Sequence, residues 1–218
     1  MTAQISDKIR YHDGEYSVVG WEGAAPFDPA AHALEPVMFS TGCWQGYTCV
    51  YEVVALGEAS AQAKVAASAE AAVPPAVAAP AEAGDQGDGA ERSEVLRLAT
   101  VFIGLGGEQR AAAERGDGPA LFGMRPIYSE SDGCFVYDGL AAVAPYSGCL
   151  TLGADFVWDQ YVHMGFHPPW KYGTVLDLTF AAGRLVEAVD RSEEMARLRA
   201  AAGDGSFLSL FKPLEPRP

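Results

Sequence analysis

Short runs of alternating apolar and polar side chains, closed by glycine, proline or aspartate, recur along this chain and predict strands. Ile9 to His12 and Glu15 to Val19 flank Asp13-Gly14, a pair able to take positive φ, and so predict a hairpin. Tyr47 to Leu56 (YTCVYEVVAL) is a second strand. Glu94 to Ile103 (EVLRLATVFI) places Val95, Leu96, Leu98 and Val101 as a strand would and is expected to pair with it. Cys134 to Tyr137, Leu150 to Phe156, Thr174 to Phe180 and Arg184 to Val189 follow, with Ala181-Ala182-Gly183 joining the last two as a hairpin. One stretch carries the helical period instead. Asp190 and Glu193 form a capping pair, Met195, Leu198 and Ala202 share a face, and Gly203 stands at the C-cap. A terminal strand, Phe207 to Phe211, would close the chain. The expected class is mainly β (α+β): an antiparallel barrel or sandwich with one C-terminal helix packed outside.

Residues 59–92 interrupt this pattern. Fourteen of these 34 residues are Ala, three are Pro and three are Gly; none is aromatic, and Val65, Val73 and Val77 are its only branched apolar side chains. Such a segment buries too little surface to offset its ordering entropy, so it is expected to be a long disordered Ala/Pro/Gly-rich loop. Loop-closure cost grows only with the logarithm of length, and a hairpin tolerates such an insertion. The 218 residues therefore read as a single β-rich domain with 59–92 inserted into it.

Composition narrows the partners. All 23 aromatic side chains lie outside the insertion, and 49% of the chain is hydrophobic, enough for one core. Fifteen Lys and Arg against 29 Asp and Glu give a formal charge of −14, which repels a phosphate backbone and favours a basic protein or a cationic ligand. Nucleic acid is thus an unexpected partner. No basic start precedes an apolar run, and no stretch has the Leu, Ile and Phe needed in hydrocarbon, so neither a secretory signal nor a membrane span is expected. Cys43, Cys49, Cys134 and Cys149 lack CxxC spacing and fit free thiols in a reducing cytoplasm.

Candidate chemistry concentrates in two segments. In Tyr161 to Tyr172 (YVHMGFHPPWKY), His163 and His167 have the spacing that puts two imidazoles on one helical face for a metal. Gly165 between them and Pro168 directly after disfavour a regular helix there, and no carboxylate or Cys completes a ligand set. The expectation is no metal and no cofactor. In Phe39 to Tyr47 (FSTGCWQGY), Cys43 would become a nucleophile if His163 lay within hydrogen-bond reach; otherwise it is an inert core thiol. Cys43, His163 and His167 are the weak catalytic candidates. Gly104-Leu-Gly106-Gly107 lacks both GxGxxG and a Walker lysine, which argues against a nucleotide. Asp155, Asp159 and Glu130 offer carboxylates, but aspartate beside turns is usually a turn former. The binding reading takes Trp44, Tyr47, Tyr161, Phe166, Trp170 and Tyr172 as large side chains of low conformational entropy on Gly- and Pro-rich turns. The competing reading has them plug the barrel ends. Trp44 with Thr48 and Trp170 with Thr174, each leading a strand with an acid (Glu52, Asp177), also suggest internal duplication.

FSTGCWQGY, YVHMGFHPPW and the opening ISDKIRYHDGEYSVVG resemble the signatures of a family of small uncharacterised bacterial cytoplasmic proteins. The resemblance runs from Ile5 to about Asp190 and implies that the two motifs belong to one folded unit; it carries no catalytic residue across. The leading expectation is a non-enzymatic acidic protein that holds a basic protein partner, as an immunity or inhibitor protein does. Two alternatives stand beside it: a small-ligand-binding β-barrel or hydrolase using Cys43 and His163, and a structural subunit of a larger assembly.

Overall fold

The computed structural model describes residues 2–56 and 93–202. Ten strands form one sheet: β1 (Lys8–Tyr11), β2 (Gly14–Trp21), β3 (Tyr47–Ala55), β4 (Glu94–Ile103), β5 (Ile127–Ser129), β6 (Cys134–Tyr137), β7 (Ala142–Val143), β8 (Gly148–Phe156), β9 (Tyr172–Ala181) and β10 (Arg184–Asp190). Helix α1 (Gly107–Glu114) follows β4, and α2 (Ser192–Ala202) follows β10. Pairing runs β10-β9-β8-β2-β1-β3-β4, and a contact of Arg184 on β10 with Val95 on β4 joins the two ends into a seven-stranded barrel. The remaining edge of β4 is taken by β7 at Arg97 and Leu98 and by β6 from Val101 to Ile103. The mainly β class and the C-terminal helix expected from the sequence are both present. No helix among the described residues is long and apolar enough to cross a membrane.

The barrel is mixed, where an antiparallel one was expected, because β1 pairs parallel to β3. The hairpin partner β2 runs back beside β1, and the chain from Trp21 to Tyr47 then passes the start of β1 before β3 begins. β1 thus sits between β2 and β3, running the same way as β3. Asp7 fixes this position on both sides: its carbonyl accepts from Val18 N at 2.8 Å, and its carboxylate accepts from Cys49 N at 2.9 Å.

Two turns sit close to their predicted places. The β1–β2 turn is His12-Asp13, one residue earlier than expected, with His12 at φ 50; Gly14 already pairs with Tyr11. Ala182 and Gly183, at φ 48 and 81, make the β9–β10 turn as the sequence indicated. The expected pairing of β3 with β4 runs from Tyr47↔Ile103 to Ala55↔Glu94, and Leu56 N donates to Ser93 O at 2.7 Å beyond it. A second helix, α1, adds to the one expected. The proposed insertion and the terminal strand Phe207 to Phe211 fall outside the described residues. Of the expected capping pair, Asp190 accepts from Ser192 N at 2.8 Å at the start of α2, whereas Glu193 pairs along the helix with Arg197 at 3.0 Å.

Inward-facing side chains fill the barrel. Ile9, Tyr51, Leu96, Val101, Leu150, Leu152 and Leu178 are all at or below 1% exposure, so the interior is a packed core without a ligand chamber. The two tryptophan-led strands do not head equivalent halves: the outer neighbour of β3 is the parallel β1, while that of β9 is the antiparallel β8.

Because Ala55 and Glu94 are direct partners, joining them through a short turn in place of residues 57–92 should leave the fold intact. Shortening the closed loop should raise stability by about 1–2 kcal/mol, read by chemical denaturation. Loss of cooperative unfolding would show that β3 and β4 need the intervening chain.

Candidate functional site

Alternation along β8 breaks at Asp155, a non-glycine residue at φ 56 whose carboxylate accepts from Thr174 Oγ1 at 2.6 Å. The break turns the next pair, Phe156 and Tyr172, onto the barrel's outer face. Tyr172 lies flat over Gly153, where an added Cβ would come within 2.6 Å of the ring, and its hydroxyl reaches Ser17 on β2. Phe156 is the hub of an aromatic cluster. It meets Trp158 edge-on at 5.4 Å, Tyr172 at 5.2 Å and the His167 imidazole at 4.8 Å; Tyr161 lies 5.3 Å from that imidazole.

The loop from Val157 to Lys171 carries the motif singled out in the sequence. It is irregular between His163 and His167, as Gly165 (φ 64) and Pro168 required. His163 is exposed and its Nδ1 lies 2.9 Å from the Tyr161 hydroxyl. His167 is half-buried, with neither ring nitrogen hydrogen-bonded; burial, and then the nearby Lys171 charge, hold its pKa below the ordinary histidine value. Lys171 is itself buried at 3% exposure, its ammonium 5.4 Å from the Trp170 ring centre, and burial lowers its pKa. Arg199 of α2 donates to the Trp170 and Tyr172 carbonyls at 2.9 and 2.8 Å and ties the base of the loop to the helix.

The N-terminal segment joins this loop to the second motif. Gln4 N donates to Gly165 O at 2.8 Å, and Ile5 N donates to Gly42 O at 2.7 Å. The buried Gln4 amide then bridges further: its nitrogen donates to Thr41 O at 3.1 Å, and its oxygen accepts from Trp44 N at 3.0 Å. Two segments more than a hundred residues apart are thus joined through residues 3–5, which also make an isolated parallel bridge between Ala3 and Gly165. Exposed side chains stand on each of these joined segments: Ile5 (50%), Trp44 (51%), Met164 (54%) and Phe166 (52%), with Tyr161 and Trp158 (75%) nearer the start of the loop. Of the six predicted binding residues, Trp44, Tyr161 and Phe166 stand exposed, Tyr47 and Trp170 are half-buried, and Tyr172 is buried. Sequence reasoning missed Gln4 and Ile5, which carry no motif, and Trp158, which falls three residues short of the segment it singled out.

Cys43 belongs to the interior. Gly46 (φ 80) turns the chain so close to Val37 that a Cβ would meet its backbone at 2.8 Å, and the Cys43 thiol donates to Tyr47 O at 3.3 Å. Burial raises the Cys43 pKa and raises that of Cys49 further, the opposite of what a nucleophilic thiol needs. Beside them the Asp7 carboxyl is enclosed, although the residue as a whole keeps some exposed surface; burial pushes its pKa up to about 6 against the Cys49 N–H bond that lowers it. Among the described residues no group of three His, Cys, Asp or Glu side chains is placed to hold a metal. Comparison with protein-family models, curated proteins and solved structures finds no match, so site geometry alone carries the functional argument.

Asp7 makes a pH prediction. Between pH 3.8 and about 6 the folded protein holds a proton that the unfolded chain has released, so stability should fall as pH rises through that window and level off above it. Asp7→Asn keeps an acceptor for Cys49 N and removes the charge; at pH 8 it should be more stable than the parent by about 1–3 kcal/mol. Parallel denaturation curves for the two proteins from pH 4 to pH 8 would refute the assignment.

Proposed function

We propose that this protein is a non-enzymatic binding module that holds a basic protein partner against the surface built from Ile5, Trp44, Tyr161, Met164 and Phe166. The observation behind this reading is that three segments carrying large, half-exposed apolar side chains are tied to one another through Gln4 and its backbone neighbours. Rigid aromatic and thioether groups of this kind concentrate binding energy, since little conformational entropy remains to be lost. A charge of −14 favours encounter with a cationic partner, and Asp155 and Asp159 stand exposed at the Trp158 end of the loop. The inhibitor or immunity role is the form of binding that suits an acidic chain holding a basic enzyme or toxin.

A hydrolase reading has less support. Its thiol, Cys43, is buried with a raised pKa and bonded to a carbonyl, and the nearest polar group to His163 Nδ1 is a tyrosine hydroxyl. A ligand chamber inside the barrel has none, because the core side chains occupy it.

Immobilised full-length protein tests the proposal. It should retain a basic protein from lysate at micromolar concentration, and alanine substitutions at the surface should release it: Trp44→Ala with Phe166→Ala is expected to weaken capture by at least about tenfold without lowering the melting temperature. Gln4→Ala leaves every exposed ring in place but removes their common support, and should weaken capture as well. A retained protein that binds all variants equally, or the absence of any retained species that depends on these residues, overturns the reading.

A further inference from the structure

A cavity of about 290 Å³ lies between the segment after β2 and the segment 142–147 that begins with β7, with Leu98 of β4 in its lining. Its walls are held in place by backbone pairing: Ala144 N donates to Leu96 O, Gly183 N to Tyr146 O, and the Tyr146 hydroxyl bridges the Glu22 and Cys149 carbonyls at 2.8 and 2.9 Å. Across from them, Gln109 of α1 fixes the end of the short turn Pro29–His32, accepting from Glu35 N and donating to Ala33 O. The site is therefore formed before any ligand arrives.

Its lining is unusual in two respects. Small alanine side chains, Ala31 among them, leave the space open, and beside Leu98 and Val143 the lining carries four rings: Phe27 and Tyr146, both buried, His32 stacked on Phe27 at 5.4 Å, and Phe122 edge-on to His32 at 4.8 Å. Phe122 sits at φ 48, a conformation a bulky side chain adopts only when its surroundings impose it, and 39% of it remains exposed. The backbone is thus strained at a residue whose ring lines the cavity. The second respect is charge. Among the described residues no lysine or arginine lines the cavity, and its one carboxylate is Asp28, whose Oδ1 caps Ala30 N at 3.0 Å and whose second oxygen takes no hydrogen bond from them.

We infer that this cavity is a binding site for a small planar aromatic amine, its ring packed among Phe27, His32 and Phe122 and its cationic nitrogen on the Asp28 carboxylate. The volume stands at the lower limit of small-molecule sites, which suits a ligand of about a dozen non-hydrogen atoms rather than a nucleotide. Ring faces favour a flat cation, the lone carboxylate fixes its orientation, and the net charge of the protein raises its local concentration. This site shares no residue with the proposed protein-binding surface and stands or falls separately.

Titration of the full-length protein with tryptamine, and with indole-3-acetate as the same ring bearing the opposite charge, tests it by calorimetry or ligand-observed NMR. Tryptamine should bind at submillimolar concentration and indole-3-acetate at least about tenfold more weakly. Asp28→Asn retains the cap and should weaken tryptamine by about tenfold, the loss of one charge-assisted contact. Ala31→Trp, at an exposed position on the rim, should abolish binding by filling the space, with an unchanged melting temperature as the control for folding. Equal affinity for the two indoles, tryptamine binding unaffected by Asp28→Asn, or no binding at millimolar tryptamine would each overturn the inference.

Discussion

The architecture depends on the hydrogen-bonding edges of β4. An open edge in a sheet of this size exposes a row of unpaired amides and carbonyls, and β4 has neither edge left free: β3 occupies one along its whole length, while β10, β7 and β6 share the other in succession. Closure between β4 and β10 rests on one residue pair, Arg184 with Val95, reinforced by Leu96 N on Gly183 O and by Arg184 on the Ser93 hydroxyl at 2.9 Å. The segment that contains β7 completes what β10 leaves uncovered. That same segment forms one wall of the external cavity, so closing the barrel and shaping the cavity are consequences of a single packing arrangement.

A barrel of seven strands has an interior too narrow for anything except its own side chains. Tyr11, Tyr51, Leu98 and Phe180 meet there, and the ionisable groups that enter it, Asp7 and Cys49 above all, are pushed toward their neutral forms. Such an interior stabilises without offering chemistry. Recognition is left to the outer face and the connecting loops, where Asp155 redirects Phe156 and Tyr172 out of the core and Gln4 joins two distant turns.

Local signals made much of this legible from the sequence. The β9–β10 hairpin follows from Ala182-Gly183, α2 from Asp190 and its helical spacing, and β3 with β4 from two apolar runs of matching length on either side of the alanine-rich stretch. What escaped was set by contacts between distant segments. Nothing in KIRY announces that it will lie parallel to YTCVY, because a parallel neighbour is chosen by the route of the intervening chain rather than by alternation. The one-residue shift of the first turn is visible only in three dimensions: Gly14 pairs with Tyr11 and lies beneath the Tyr16 ring as part of β2, and His12 takes the positive φ.

The candidate surface shows the same division. Trp44, Tyr161 and Phe166 could be named because large aromatics on glycine- and proline-rich turns are conspicuous, whereas Tyr172 belongs to the same motif by sequence and to the packed layer by structure. The difference lies in Asp155, whose left-handed backbone decides that Tyr172 covers Gly153 and supports the cluster from beneath while Trp158 and Tyr161 stand clear above it. Burying one ring to hold the others in place explains how a loop without regular secondary structure keeps so much apolar surface outside the core. The loop that carries the exposed rings is tied to α2 through Arg199 and to the N-terminal segment through Gln4 N on Gly165 O. An apolar surface anchored at both ends retains its shape in water instead of collapsing onto itself, and that is the property a binding surface requires.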